Sequence, residues 1–398
     1  MTWLLAGLAL LAAAVAGPRW LRVAQREHYL PGVTRFALRW WGVDWPNRLL
    51  VASAALAMSA TVVFQPLATV PAAVAVLGPI GLSLRGRTSA LVWTDRMRRL
   101  AGVVGLLTVG AVVGAAAAGL AAVVAAIPML VPVLVDAGLR ATAGLERRSG
   151  TRWVERAAAT LHRFDPKVVA ITGSFGKTST KTIVAHMLSD QMSVLASPAS
   201  FNNRMGLARA INEHLTPGTD LFVAEMGTYG PGEIRELCSW ITPDVAVITA
   251  LGPVHLERMG SLEAIATAKR EILEAAPVAV VAVDHPLLAD IATEEAGSRR
   301  VITVSGDGRP AEVSLSSDGV VTIEGTAVGR FDIGQAHPGN VACAVGVVLA
   351  IGGDVARAVH RLGDLPPVPH RRSIGRSEVG FDIVDDTFNS NPAGAEAA

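Results

Sequence analysis

Cysteine is nearly absent from this chain of 398 residues: Cys238 and Cys343 stand alone in separate segments. Their spacing excludes a cysteine-built metal centre, and both read as buried small hydrophobes that establish no redox compartment. Net charge is scarce as well, at +1. No long basic stripe with interleaved aromatics occurs, which excludes nucleic acid as a partner. Internal repeats and low-complexity linkers are missing too. Charge is missing altogether from two runs, Leu49 to Leu84 and Leu100 to Val135, each of 36 residues. Apolar residues take its place: they make up 51% of the chain, above the roughly 45 to 50% of soluble domains, and mean hydropathy is +0.42. The excess lies in the first third, so the chain divides near residue 140.

Residues 1–140 read as a transmembrane region. Thr2 to Gly17 is uncharged and apolar but lacks the basic start of a signal peptide, and further apolar runs follow. About 20 residues cross a bilayer, so each charge-free run suits two short helices joined by a tight turn. Gln65-Pro66 would break the first run, and the Gly114 to Gly119 stretch the second. The expectation is five spans with the N-terminus outside, and three as the fallback. Five spans put two basic loops on the cytoplasmic face, one holding Arg19, Arg22, Arg26, Arg35, Arg39 and Arg48 and the other Arg85, Arg87, Arg96, Arg98 and Arg99. The chain is then a multi-pass cell-membrane protein with its catalytic part in the cytoplasm. The bland alternative is a set of buried soluble helices.

After a linker over 141–165 the texture becomes α/β, with β-rich runs at Val168 to Thr172, Leu221 to Glu225, Val245 to Thr249, Val278 to Val283 and Val301 to Val304. Helices are expected after Gly176, Gly232 and Ser261. This alternation predicts a mostly parallel sheet flanked by helices, with sites at the carboxyl ends of the strands. The sharpest motif is Thr172-Gly173-Ser174-Phe175-Gly176-Lys177-Thr178-Ser179, which follows a strand and opens a helix. Glycines let backbone N–H groups wrap a phosphate, Lys177 bridges the β- and γ-phosphates of ATP, and Thr178 can ligate Mg²⁺. The bland reading is a glycine-rich turn with a solvated lysine. The spacing departs from G-x-x-x-x-G-K-[ST], whose first glycine would fall at Ile171.

That shortened loop resembles the T-G-x-x-G-K-[TS] form of the Mur ligase family, and further motifs follow in the family's order. Ser200-Phe201-Asn202-Asn203-Arg204-Met205-Gly206 resembles its Asn-Asn-x-x-Gly element. Ala224-Glu225-Met226-Gly227 with Gly232-Glu233-Ile234 resembles the D-alanyl-D-alanine-adding branch. Gly252-Pro253-Val254-His255-Leu256-Glu257, Gly260-Ser261-Leu262 and Ala268-Lys269-Arg270-Glu271-Ile272 come next. His337-Pro338-Gly339-Asn340 resembles H-N-x-x-N, with Asn340 on the second asparagine and Ala336 where the histidine belongs. Pro369-His370-Arg371 and Asp385 to Pro392 resemble the start of a Rossmann-like C-terminal domain. The resemblance thus implies a central ATP-binding domain over 166–362 and an incomplete C-terminal domain over 363–398.

It further implies an acid–amino-acid ligase that phosphorylates a carboxylate with ATP and lets an amine attack the acyl phosphate. Gly173, Ser174, Gly176, Lys177, Thr178 and Ser179 would hold the phosphates. Asn340 would hold the adenine, Arg371 the phosphates and Asp386 the ribose. Magnesium ligands would be Thr178, Glu225, His255 and Lys269, the last often carbamylated in the family; unmodified, it would stabilise the acyl phosphate directly. Lys177, Lys269, His255 and Asn203 are the expected catalytic residues, with Asn202 the alternative to Asn203. Taken singly, Glu225 reads as a solvated strand end and His255 as a satisfied loop histidine; their place in the motif order reverses this.

Two departures bear on substrate. Membrane spans stand where the family's peptidoglycan enzymes carry a domain for a UDP-muramyl precursor, so the acceptor is expected to be muramyl-peptide-like and either soluble or lipid-linked, alongside membrane lipid. The amine is an amino acid or dipeptide. The chain also stops at Ala398, short of a whole C-terminal domain, and reads as a fragment; Ala250 stands where an asparagine is common. Competing expectations are a membrane-bound poly-γ-glutamate-type synthase and a membrane scaffold or ATP sensor without ligase activity.

Overall fold

A computed structural model describes residues 2–60, 64–83, 90–198, 201–254, 256–316, 318–331, 336–365, 373–376 and 381–385, with the backbone alone at 65, 257, 373–376 and 382–385. The chain forms two compact units, Met1–Ser149 and Gly150–Ala398.

The first unit is helical: α1 (Thr2–Arg26), α2 (Val33–Val43), α3 (Trp45–Ala60), a 3₁₀ turn (Gln65–Ala68), α4 (Thr69–Leu77), α5 (Asp95–Ala117), α6 (Ala121–Ala126), a second 3₁₀ turn (Ile127–Leu130) and α7 (Val131–Phe164). The charge-free runs do break where proline and glycine interrupt them, at Gln65-Pro66 and after Ala117. Three helical stretches among the described residues are long and apolar enough to cross a membrane: Thr2–Arg26, Asp95–Ala117 and Ala121–Phe164. The described part of α3, Trp45–Ala60, holds 16 residues. Residues 141–164, expected as a linker, are helical.

This unit buries small and large residues together, with Leu5, Trp20, Leu21, Met97 and Leu100 inside, and exposes further large apolar ones. On α1, Ala6, Ala9, Ala12, Ala13 and Ala16 are buried, whereas Leu4 is 75% and Leu11 63% exposed. Helix ends are satisfied from within. Buried Asp136 on α7 accepts from the backbone N–H groups of Gly32 (2.8 Å), Val33 (3.0 Å) and Thr34 (2.9 Å), capping α2. Arg19 on α1 donates to the carbonyls of Ala75, Val76 and Gly78 at the end of α4. These bonds answer the orphan donors and acceptors that every helix leaves at its termini.

The second unit continues in sequence with β1 (Lys167–Thr172), α8 (Lys177–Leu188), β2 (Val194–Ala196), α9 (Arg204–His214), β3 (Leu221–Glu225), α10 (Glu233–Cys238), β4 (Val245–Ile248), α11 (Leu256–Met259), α12 (Leu262–Arg270), β5 (Val278–Ala282), α13 (Pro286–Glu295), β6 (Arg300–Ser305), β7 (Val313–Leu315), β8 (Val320–Ile323), β9 (Thr326–Arg330), α14 (Pro338–Ile351), α15 (Val355–His360), β10 (Ser373–Arg376) and β11 (Asp382–Asp385). One sheet runs β2-β3-β1-β4-β5-β6-β7-β8-β9, while β10 and β11 pair apart. From β2 to β7 neighbouring strands are parallel; β8 and β9 extend the edge antiparallel. All five expected strands and the three expected helix starts are present.

Alternation along each strand splits the core in two. Val168, Ala170, Phe222, Ala224, Ala246, Ile248, Ala279 and Val281 pack on one face with α9, α10, α12 and α13. Val169, Ile171, Leu221, Val223, Val245, Val247, Val280 and Ala282 pack on the other with α8, α14 and α15. Cys238 belongs to the first cluster and Cys343 to the second. Burial pushes the Cys238 thiol up to about 12, and raises that of Cys343 also. Because β1 lies between β3 and β4, the connection after β1 runs to one side and that after β3 to the other, the topology at which a ligand crevice is expected at the strands' carboxyl ends.

Candidate phosphate and carboxylate site

The crevice is built from the end of β1. Gly173 has φ of +156° and Gly176 has φ of +79°, conformations that L side chains rarely adopt. Space is short at both positions, against backbone as well as side chain at Gly173 and against the Asn340 amide at Gly176. A Cβ on Gly173 would lie 2.0 Å from Thr249 Oγ1, and one on Gly176 would lie 2.1 Å from Asn340 Oδ1. The loop is further pinned by Ser174, whose N–H donates to the Ala250 carbonyl (2.8 Å) and whose Oγ donates to that of Gly252 (3.0 Å). Ala250 thus serves through its backbone. Gly176 caps α8 with no side chain in the way, so the helix's first N–H groups face the crevice, a cradle suited to phosphate. Lys177 and Thr178 open the helix, with Ser179 half-buried behind them; the Lys177 ammonium donates to the Gly173 carbonyl (2.7 Å).

Facing this loop is Glu225, the last residue of β3 and only 2% exposed. Thr178 Oγ1 donates to its Oε2 (2.8 Å), and Asn202 Nδ2 donates to its Oε1 (3.1 Å). Lys181 Nζ lies 3.2 Å from the same Oε2. Asn203, the expected catalytic asparagine, is exposed. Its side chain accepts from Gly206 N–H (2.9 Å) as the cap of α9, so it is Asn202 that turns toward the carboxylate. The two are adjacent, and the extended backbone of a cap residue sends its side chain along the new helix.

Lys269, on α12, is 3% exposed. Burial, with the Lys177 ammonium beside it, pushes its pKa down from 10.5 to about 7. Asn340 stands in the first turn of α14, against Gly176. His337 Nδ1 accepts from Gly339 N–H (3.1 Å) and caps that helix, a structural duty that explains its offset from the expected pattern. Gly232, with φ of +86°, starts α10, whose N–H groups at Gly232 and Arg235 donate to buried Glu271 (2.7 and 3.1 Å). His255, Arg371 and Asp386 lie outside the described residues.

A divalent cation fits this donor set. Mg²⁺ commonly takes one or two carboxylates, keeps several waters and shares phosphate oxygens; Glu225 and the Thr178 hydroxyl supply two oxygens beside the phosphate cradle. Among the described residues no cluster of three or more His, Cys, Asp or Glu forms a self-sufficient metal site, so such an ion would depend on oxygens that a bound phosphate brings. Sequence reasoning overlooked Lys181 and Ser197, although Lys181 sits one helical turn after Lys177, a spacing that places both on the same face of α8.

Residues 171–345 match the Mur ligase middle domain. The chain is 33% identical over 250 residues to the UDP-N-acetylmuramoyl-tripeptide–D-alanyl-D-alanine ligase of Mycobacterium leprae, covering 56% of this chain and 48% of that protein. With the Bacillus subtilis ligase of the same name it shares 31% identity over 248 residues, 61% of this chain and 54% of that protein. The structure resembles that of MurF from Acinetobacter baumannii (TM-score 0.57, 26% identity, 62% of this chain and 56% of that chain). It also resembles the MurF ligase from Thermotoga maritima in complex with ADP (TM-score 0.53, 28% identity, 62% and 59%). The chain spans about half the length of the curated relatives it matches.

Two outcomes follow from this geometry. Gly176→Ala places a methyl on the Asn340 amide at a left-handed backbone position, and should weaken ADP binding at least tenfold, about 1.4 kcal/mol; an unchanged Kd by calorimetry would mean that Asn340 yields freely. Lys269→Met removes a buried charge whose folded pKa is depressed. The cost of that charge is fully present below pH 7 and disappears as pH rises from about 7 toward 10.5. The variant should therefore be the more stable by roughly 4 kcal/mol at pH 6. In thermal unfolding under carbon-dioxide-free buffer the difference should shrink steadily toward pH 10; a difference independent of pH would contradict the buried-cation account.

Proposed function

We propose, taking residues 171–345 as a Mur ligase middle domain, that this chain is an ATP-dependent acid–amino-acid ligase of cell-wall precursor synthesis. Its reaction would be that of its relatives, which add D-alanyl-D-alanine to a UDP-N-acetylmuramoyl-tripeptide. The carrying observation is the convergence of Lys177, Thr178, Glu225, Asn202 and Lys269 on one crevice. A scaffold that merely bound nucleotide would have no need to bury a carboxylate and a second lysine there.

The substrate carboxylate attacks the γ-phosphorus of ATP, the bond to the β-phosphate oxygen breaks, and ADP leaves. The amine then attacks the acyl carbonyl carbon, phosphate departs, and the amine's proton is lost to solvent or base. Backbone N–H groups at the start of α8 and the Lys177 ammonium hold the phosphates in line and take up their developing charge. Asn202 orients oxygens beside Glu225. Glu225 and Thr178 would hold a magnesium ion, which would supply charge neutralisation at the phosphates. Lys269, poised near pH 7, is a cation toward the acyl phosphate in its protonated form; in its neutral form it can add carbon dioxide and become an anionic ligand.

We read the first unit as membrane-embedded and multi-pass, with the ligase on the cytoplasmic side. Its buried alanines on α1 and its many exposed large apolar residues, such as Trp3, Leu4, Leu11, Leu56 and Leu106, support this, since small residues let helices approach closely while lipid meets larger ones. Its basic connections support the orientation. The acceptor can then be the soluble UDP-linked precursor or its lipid-linked form, which parallel turnover of both would separate.

Full-length protein should release ADP and phosphate only when acceptor and D-alanyl-D-alanine are both present, and Lys177→Ala should cut the rate at least about a hundredfold. ADP release that ignores the dipeptide would overturn the ligase assignment. The expressed protein should stay with membranes through carbonate washing and come off only in detergent; release by carbonate alone would refute the embedded reading.

A further inference from the structure

We infer that Lys181 is a positioning residue for this site: its ammonium is the resident counter-ion of Glu225 and fastens Ser197, just past the end of β2, to the phosphate-loop helix. The inference rests on the nucleotide reading above and concerns how the crevice is kept ready.

Lys181 lies on α8 and is 3% exposed, although a lysine stem is long enough to carry its amine to water. Its Nζ instead donates to the Ser197 carbonyl (2.7 Å) and pairs with Glu225 Oε2 (3.2 Å). Ser197, itself 1% exposed, closes the figure: its Oγ accepts from Glu225 N–H (3.2 Å) and its own N–H donates to the Val223 carbonyl (2.9 Å). One ammonium thereby joins the phosphate-loop helix, the end of β2 and the end of β3. A few residues on, the Asn202 carbonyl accepts from Gly227 N–H (2.7 Å) and its amide reaches Glu225.

For stability alone a buried ion pair is a poor device, since desolvating both charges consumes most of the attraction. Its distinctive product is a carboxylate held against the Thr178 hydroxyl whether or not a metal is present. Without the ammonium, one of its two oxygens would keep only the Thr178 hydroxyl as a donor. The same ammonium opposes a second cation, so Mg²⁺ should arrive effectively only with the nucleotide's phosphates.

The test is thermal unfolding of the detergent-solubilised full chain in a MgCl₂ titration, with and without ADP. Lys181→Met keeps an apolar stem and removes the charge. Without ADP, wild type should respond weakly, whereas Lys181→Met should be stabilised at Mg²⁺ concentrations at least about tenfold lower. Lys181→Arg should restore the wild-type response, which a merely space-filling role would not require. If Lys181→Met does not fold, the neutral pair Lys181→Met with Glu225→Gln should fold and show no magnesium response; failure of that double variant would overturn the assignment. Equal magnesium responses of wild type and Lys181→Met would overturn it too while leaving the nucleotide reading intact. Should ADP with Mg²⁺ stabilise neither protein, the nucleotide reading itself falls and the assignment with it.

Discussion

Burying Glu225 among the Thr178 hydroxyl, the Asn202 amide and the Lys181 ammonium constrains three separate segments at once. A carboxylate cannot be taken from water without donors on both oxygens. Satisfying it therefore fixes the roll of α8, the placement of Asn202 and the end of β3. The phosphate loop inherits its position from this arrangement, because Thr178 and Lys181, two of the three residues that reach Glu225, belong to the helix that the loop opens. The acid's role is thus architectural before any ligand is bound.

A second constraint is steric and runs through glycine. Gly173 brings the loop against Thr249, and Gly176 brings it against Asn340, so elements far apart in sequence meet at contact distance only because no side chain intervenes. The sheet order makes these encounters available: β1 lies between β3 and β4, and the carboxyl ends of all three deliver their residues to one crevice. Charge then accumulates there by necessity. Lys177 and Lys269 repel each other in a poorly hydrated place, which suits a site where several anions must gather.

Much of this was legible in the sequence. Strands such as Leu221–Glu225 are continuous apolar runs of the kind a parallel sheet buries on both faces, and the glycine-lysine loop lies between a strand and a helix as its chemistry requires. What escaped was short or directional. β2 spans only Val194–Ala196, too few residues to display a period, and β7 to β9 are edge pieces joined by tight turns. The choice between Asn202 and Asn203 turns on one residue of backbone direction, which composition cannot resolve. Lys181 looked like any helical lysine; its burial is decided by Ser197 and Glu225, 16 and 44 positions later in the chain (197 minus 181; 225 minus 181). In the first unit, the breaks in the apolar runs could be read from proline and glycine, but helix lengths depended on where each helix starts.

The cysteines with which the sequence reading began have a practical side. Cys238 and Cys343 lie in opposite core layers, both buried and both far less acidic than a free thiol. A thiolate is the reactive form, so both buried thiols should react slowly with cysteine reagents while the protein is folded. A single cysteine placed by mutagenesis on an exposed loop would then be the sole attachment point for a fluorophore or spin label. The movements of the phosphate loop could thus be followed in the native background, with no prior removal of either natural residue.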